Sequence, residues 1–232
     1  MERQTSNRTW KWLAVPGILL VAIVVYAKVR SLRNDTKITG CWARLHEVAF
    51  TVSKYNQKHG HLPPRVVYKD GVAMHSWRVL ILEDWQPQLF AQYRLSEPWN
   101  SPHNSLLANQ MPDRYRCPLD RSSLPTDQTT YVAVADSRAV LRTNTDGTLR
   151  QEDVPPDSIM LIEFSSKPRH WMSPEDASPE EIIAYIQSMQ TAPTCHMRYS
   201  TADVRTRPIR ELDEKTLPAR LRCEMAPTPL TE

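Results

Sequence analysis

Sixteen consecutive residues near the N-terminus, Trp12 to Ala27 (WLAVPGILLVAIVVYA), carry no charge, and beyond them apolar and polar positions change over in short, turn-bounded groups. Arg3, Arg8 and Lys11 precede the stretch, and Lys28, Arg30 and Arg33 follow it. At ~1.5 Å per residue a helix over it covers ~24 Å, a little short of a ~30 Å hydrocarbon core. Val29 and Leu32 extend its apolar face, and Lys11 and Lys28 can snorkel outward. Trp10, Trp12 and Tyr26 stand at the two ends, where interfacial aromatics belong, and Pro16 falls in the first turn or so. Three readings compete: an uncleaved anchor over 12–32 behind a cytoplasmic tail at 1–11, a signal peptide cleaved at Val25-Tyr26-Ala27 that leaves a secreted body, and a buried helix of a soluble fold. The last would set six cations beside a core. The anchor fits best. Three Lys/Arg before the span and four after it, counting Lys37, leave its direction open.

Residues 31–37 (SLRNDTK) are polar and read as a joint, placed at 33–37 between anchor and body. From Ile38 to His59 the pattern predicts an amphipathic helix, with Cys41, Leu45, Val48, Ala49, Val52 and Tyr55 on one face and Gly60, Pro63 and Pro64 ending it. The run Trp77–Leu82 fits a buried strand or a short helix, and periodicity does not separate the two. Ser101-Pro102 reads as a helix start running towards Asn109. Tyr131–Val134 and Ile159–Phe164 read as sheet strands. Ser173-Pro174 opens a short turn, and Ser178-Pro179-Glu180-Glu181 has capping-box form ahead of an apolar face of Ile182, Ile183, Ile186 and Met189. Glu211–Leu221 reads as a last short helix before a frayed tail. The body therefore spans 38–206, with a C-terminal helix and tail at 207–232.

Charge and composition narrow the function. A net charge of +3, from 29 basic and 26 acidic residues interspersed along the chain, lacks the basic stripe of a nucleic-acid binder. The five glycines never cluster, so no glycine-built phosphate cradle exists. Gly-x-Ser-x-Gly, Ser-x-x-Lys and His-Glu-x-x-His are absent. His59 and His61 share a face only in extended chain and have no third ligand at metal spacing, and Cys195-His196 is weaker still. Glu83-Asp84, Glu175-Asp176 and Glu180-Glu181 serve helix starts more simply than acid–base work. The residues thus predict no catalytic site, no cofactor and no metal. Cys41, Cys117, Cys195 and Cys223 permit two disulfides or four buried thiols. Trp77, Trp85 and Trp99, with Trp171, either pack the irregular middle of the body or line a partner surface.

Several stretches resemble one family: CWARLHEVAFTVSKYNQKHGHLPP (41–64), MHSWRVLILEDWQPQLFAQYRLSEPWNSPHN (74–104), YRCPLD (115–120), TTYVAV (129–134) and WMSPEDAS (171–178). Together they are similar to the prepilin-like family called domain of unknown function 1559, expanded in planctomycete bacteria. The resemblance implies an α+β, pseudopilin-like fold: an N-terminal transmembrane helix running into an amphipathic helix packed on a small antiparallel sheet, joined by irregular Pro-rich connections. It also implies a single-pass membrane protein with its N-terminus in the cytoplasm and its body outside. A structural or interaction role at the cell envelope follows, with the lipid bilayer, other envelope proteins or further copies of the chain as partners. The rival role is a ligand- or protein-binding module using 77–104. Two family features depart here: NRTWKWLAVPGI (7–18) has neither the leader cleavage site nor the early Glu, and His196–Asp203 lacks the glycine-rich spacer. Cys41 and Cys117 both lie in family-like segments, and export supplies an oxidising setting. The resemblance thus implies a disulfide between them and leaves Cys195 and Cys223 unassigned.

Overall fold

A computed structural model describes residues 9–119, 124–190 and 197–224, with side chains from Leu19 onward except those of Asn34 and Gln190. Residues 1–8, Cys195, His196 and the tail after Glu224 lie outside the described residues. Contacts divide the chain into two units, Met1–Thr39 and Gly40–Glu232.

Helix α1 runs unbroken from Thr9 to His59, so the stretch 33–37 is helical and not a joint. That stretch holds neither Pro nor Gly. Thr36 and Thr39 turn their hydroxyls back onto the carbonyls of Leu32 and Asp35, both at 2.9 Å, which satisfies them within the helix. Gly60, at φ 76°, ends it, its N–H donating to Asn56 at 2.8 Å. In the first unit, Leu19, Leu20, Val21, Ile23, Val24 and Val25 are each 54–63% exposed. Among the described residues no helix is long and apolar enough to cross a membrane. The described side chains of the expected 12–32 anchor begin at Leu19, and a ~20-residue span from there takes in Lys28, Arg30, Arg33, Asp35 and Lys37.

In the second unit, β1 (Val66–Lys69) and β2 (Val72–Ser76) form a hairpin about Asp70-Gly71, both at positive φ. The run from Trp77 is helical: α2 (Trp77–Leu80), α3 (Leu82–Trp85) and α4 (Pro87–Gln92) follow one another, then α5 (Pro102–Ser105). Ser101 caps α5 as its sequence predicts, with Oγ accepting the Asn104 N–H at 3.1 Å, yet the helix stops at Ser105. Next come β3 (Gln128–Thr129), β4 (Tyr131–Ala133), β5 (Ile159–Glu163) and β6 (Arg169–His170). The chain then forms α6 (Pro179–Gln190), β7 (Arg198–Thr201), β8 (Thr206–Pro208) and α7 (Leu217–Leu221). The last helix is shorter than its sequence suggests, because Glu211 closes a separate 3₁₀ turn. At α6 the capping box forms: the Ser178 N–H donates to Glu181 at 3.0 Å and the Glu181 N–H to Ser178 at 3.2 Å.

The second unit is α+β. Its largest sheet is antiparallel in the order β4-β5-β7-β8, and β1–β2 and β3–β6 are two-stranded sheets. Strand alternation sends side chains to two cores. Tyr131 and Ala133 of β4 join Leu45, Val48, Ala49 and Val52 of α1, whereas Val132 and Val134 join Ile182 and Ile186 of α6 and Leu217 and Leu221 of α7. In β5, Met160 and Leu161 are neighbours yet share the α1 core, because the register against β7 shifts between Ile159 and Leu161. Every residue of the expected α1 face is buried. Gly40 lets α1 come close to the loop that carries Cys117: a Cβ there would lie 3.1 Å from Pro118 Cγ.

Candidate functional site

A buried polar cluster surrounds Arg78. Ser76 caps the single turn of α2, accepting the Arg78 N–H at 3.2 Å, and so aims the arginine inward. The guanidinium lies between β4 and the 173–177 segment. Its Nη2 donates to Asp176 at 2.5 Å and to the Tyr131 carbonyl at 2.9 Å, and its Nε to that same carbonyl at 3.1 Å. Nη1 donates to Ser76 Oγ at 3.0 Å and to the Ser173 carbonyl at 3.5 Å. All five N–H donors of the fork therefore have acceptors. Asp176 Oδ1 accepts from the Ala133 N–H at 2.9 Å and Trp77 Nε1 at 3.4 Å as well. The next residue, Ala177, bridges to Val134, and the Ala135 N–H donates to its carbonyl at 2.8 Å, covering the outer edge of β4. With Arg78 and Asp176 fully buried and these donors engaged, the cluster clasps chain segments together and offers no donor to a ligand.

Two satellites extend it. The Arg78 carbonyl accepts from the Tyr115 hydroxyl at 2.5 Å, and Tyr115 packs among Trp77, Trp85 and Trp171. Asn104, wholly buried, accepts the Arg94 N–H at 2.9 Å and points its amide at the carbonyls of Arg94, Glu97 and Pro98, which pins the 94–104 loop. His75 ties that loop to β2. Its Nε2 faces the Leu95 carbonyl at 2.9 Å and must donate there, so Nδ1 accepts from the Tyr93 hydroxyl at 3.0 Å. Burial pushes the His75 imidazole below its ordinary value and the Tyr93 phenol above its own.

The candidate surface of Trp77, Trp85 and Trp99 does not form as one patch. Trp77 is fully buried, donating to Asp176. Trp85 and Trp99 are half-buried against the same core, Trp85 edge-on to Tyr115 at 5.2 Å and Trp99 beside His170 at 5.1 Å. Once the run from Trp77 coils into α2 and α3, its large side chains fall on the core side. His59 meets Glu83 at 3.1 Å and stacks on Tyr55, while Lys58 pairs with the same Glu83 at 2.6 Å and holds its carboxyl below the usual range. A shallow groove of about 520 Å³ is lined by Ser53, Asn56, Gln151, Glu152 and Asp203. Both carboxylates there are engaged, Glu152 with Arg150 at 3.3 Å and Asp203 with Arg205 at 2.8 Å.

Cys41, at the point where α1 enters the second unit, is joined by a disulfide to Cys117, with Cα atoms 4.6 Å apart. Beside them stands Glu163, on β5 opposite Tyr131, a neighbour that sequence spacing did not reveal. Cys223 is a half-buried thiol whose ionisation burial pushes up.

An α1 helix laid on an antiparallel sheet, clasped by a buried Arg–Asp pair and a disulfide, defines an α+β domain organised around structural polar contacts. The chain belongs to the family described as protein of unknown function DUF1559, whose model matches residues 33–165, more than half of the sequence. No curated protein and no solved structure matches the chain significantly.

Proposed function

We propose that this chain is a membrane-tethered, pseudopilin-like scaffold of the cell envelope, with its N-terminus in the cytoplasm and its body outside, acting through structural or protein–protein contacts rather than catalysis. The observation that carries the reading is α1. One unbroken helix has apolar residues exposed in turn after turn from Leu19 to Leu32 and, from Cys41 to Tyr55, an apolar face buried in a core. Exposed aliphatic side chains on all sides of a helix need an apolar surrounding, and the uncharged Trp12–Ala27 stretch makes a bilayer the natural one. The body supports a scaffold: its strongest polar groups are consumed in holding segments together. Alkaline carbonate extraction should leave the full-length chain in the membrane pellet, and protease added outside the cell should degrade the body. Recovery of a soluble form beginning near Lys28 would replace the anchor with a cleaved signal peptide.

A further inference from the structure

We propose that Cys41, Cys117 and Glu163 become, once the disulfide is reduced, a binding site for a soft divalent cation such as zinc or cadmium. A ligand atom of each lies within 4.8 Å of the others. All three residues are buried, at 1%, 1% and 3% exposed. They arrive from distant parts of the chain: Cys41 from α1, Cys117 from the loop ahead of Pro118, and Glu163 from β5. The strand register sets Glu163 opposite Tyr131, whose hydroxyl donates to the Cys41 carbonyl at 3.4 Å. In the oxidised chain the two sulfurs are bonded to each other.

Reduction changes the electrostatics of this enclosure. A phosphine reductant supplies two electrons and becomes its oxide with the oxygen of a water molecule, whose two protons leave Cys41 and Cys117 as thiols. Two ionisable thiols then share a buried space with a carboxylate. Without a cation, ionising either thiol would set like charges side by side in that enclosure. A divalent cation removes that penalty. Both thiols lose their protons to solvent, two S–metal bonds and one O–metal bond form, and the assembly carries one net negative charge. Two thiolates and a carboxylate are a zinc-type donor set, with S–metal near ~2.3 Å and O–metal near ~2.0–2.2 Å. Ligand atoms around such a tetrahedral centre stand roughly 3.5–3.8 Å apart, so the bonded sulfurs must separate, and the carboxylate already stands within 4.8 Å of both. A fourth position remains for water. The same three residues thereby fasten α1 to the Cys117 loop in either redox state, by a covalent bond when oxidised and by a metal when reduced.

The test uses the full-length chain in detergent, with Cys195→Ser and Cys223→Ser removing the other thiols. It is reduced with a phosphine, kept anaerobic and titrated with Cd²⁺, with the thiolate-to-cadmium charge-transfer band and the thiol count as readouts. One Cd²⁺ per reduced chain and none per oxidised chain is expected. Cys41→Ser should abolish the band. Glu163→Gln, nearly isosteric, should weaken binding at least about tenfold while the thiol count stays at two. Absence of the band with both thiols free overturns the proposal. So does a Glu163→Gln chain that titrates like its parent, because that would mean thiols binding metal without the carboxylate, as a loosened reduced chain would.

Discussion

Nη2 of Arg78 lies 2.5 Å from Oδ1 of Asp176, with neither side chain reaching solvent, although 98 residues separate them in sequence. Such a pair is not in itself a large source of stability, since the desolvation of both charges offsets much of their attraction. What the pair does is fix partners. The guanidinium holds the Tyr131 and Ser173 carbonyls, and the carboxylate holds the Ala133 N–H and the Trp77 indole. The α2 turn, β4 and the 173–177 segment are thereby set in one arrangement.

Removing one member should therefore cost far more than the pair contributes. Asp176→Ala leaves a buried guanidinium facing only neutral acceptors and should destabilise the body by about 3–5 kcal/mol, read as a lower urea midpoint. Asp176→Asn should also be costly, because among the described residues Oδ2 has no hydrogen-bond partner and an amide placed there would gain none. A midpoint close to the parent's for Asp176→Ala would mean that water reaches the clasp.

The α1 face admits a sharper test. Leu45 is fully buried in the same core as Val52, Tyr131 and Trp77. Leu45→Asp removes that packing and buries a carboxylate without a partner, together enough to exceed much of a domain's ~5–15 kcal/mol margin. Cooperative melting of the body should disappear. A variant melting within a few degrees of its parent would place this helix face in solvent.

Stability should also decline in mildly acidic solution, and His75 gives part of the reason. Burial lowers its folded value, outweighing the opposite pull of its bond to the Leu95 carbonyl. Near pH ~6.5 the unfolded chain thus binds a proton that the folded chain refuses. The contribution is complete above that pH and is lost as pH falls through the unfolded value towards the folded one. His170 shifts the same way, burial outweighing Asp127. Glu83 and Glu181, held low by Lys58 and by the Ser178 backbone, lose their share only in more acidic solution, below ~4.3. Urea midpoints between pH ~7.5 and ~5.5 should fall, and His75→Gln should flatten but not abolish the slope. An unchanged slope in that variant would remove His75 from the account.

The elements legible in the sequence are those whose signal is local. The α1 face, the capping box at Ser178 and the β4 and β5 strands rest on periodicity or on residues a few positions apart. Asp70-Gly71, the two-residue turn of the β1–β2 hairpin, is an equally local signal. The polar residues of 33–37 suggest a break in the chain, whereas threonines that bond back to their own helix leave the helix itself intact. The clasp could not be read at all. Arg78 and Asp176 look like ordinary surface charges, and only the fold brings them together. Glu163 was invisible beside the cysteines for the same reason, since strand register alone places it there.

The disulfide should act mainly on the unfolded chain. It closes a loop across a sequence separation of 76. Chain-entropy estimates for that size give ~4 kcal/mol, realised by restricting the denatured ensemble rather than by adding native contacts. The double variant Cys41→Ala/Cys117→Ala should thus lower the urea midpoint markedly. It should also steepen the dependence on denaturant, because an uncrosslinked unfolded chain exposes more surface. The steeper slope separates this account from a packing one, in which the small buried side chains matter and the crosslink does not. Packing loss alone would shift the midpoint and leave the slope in place. The oxidised parent, its reduced form and the double variant, compared under one set of conditions, decide between them. Reduced parent and variant should coincide in slope, both steeper than the oxidised chain, and three equal slopes would mean that the bond does not constrain the unfolded state.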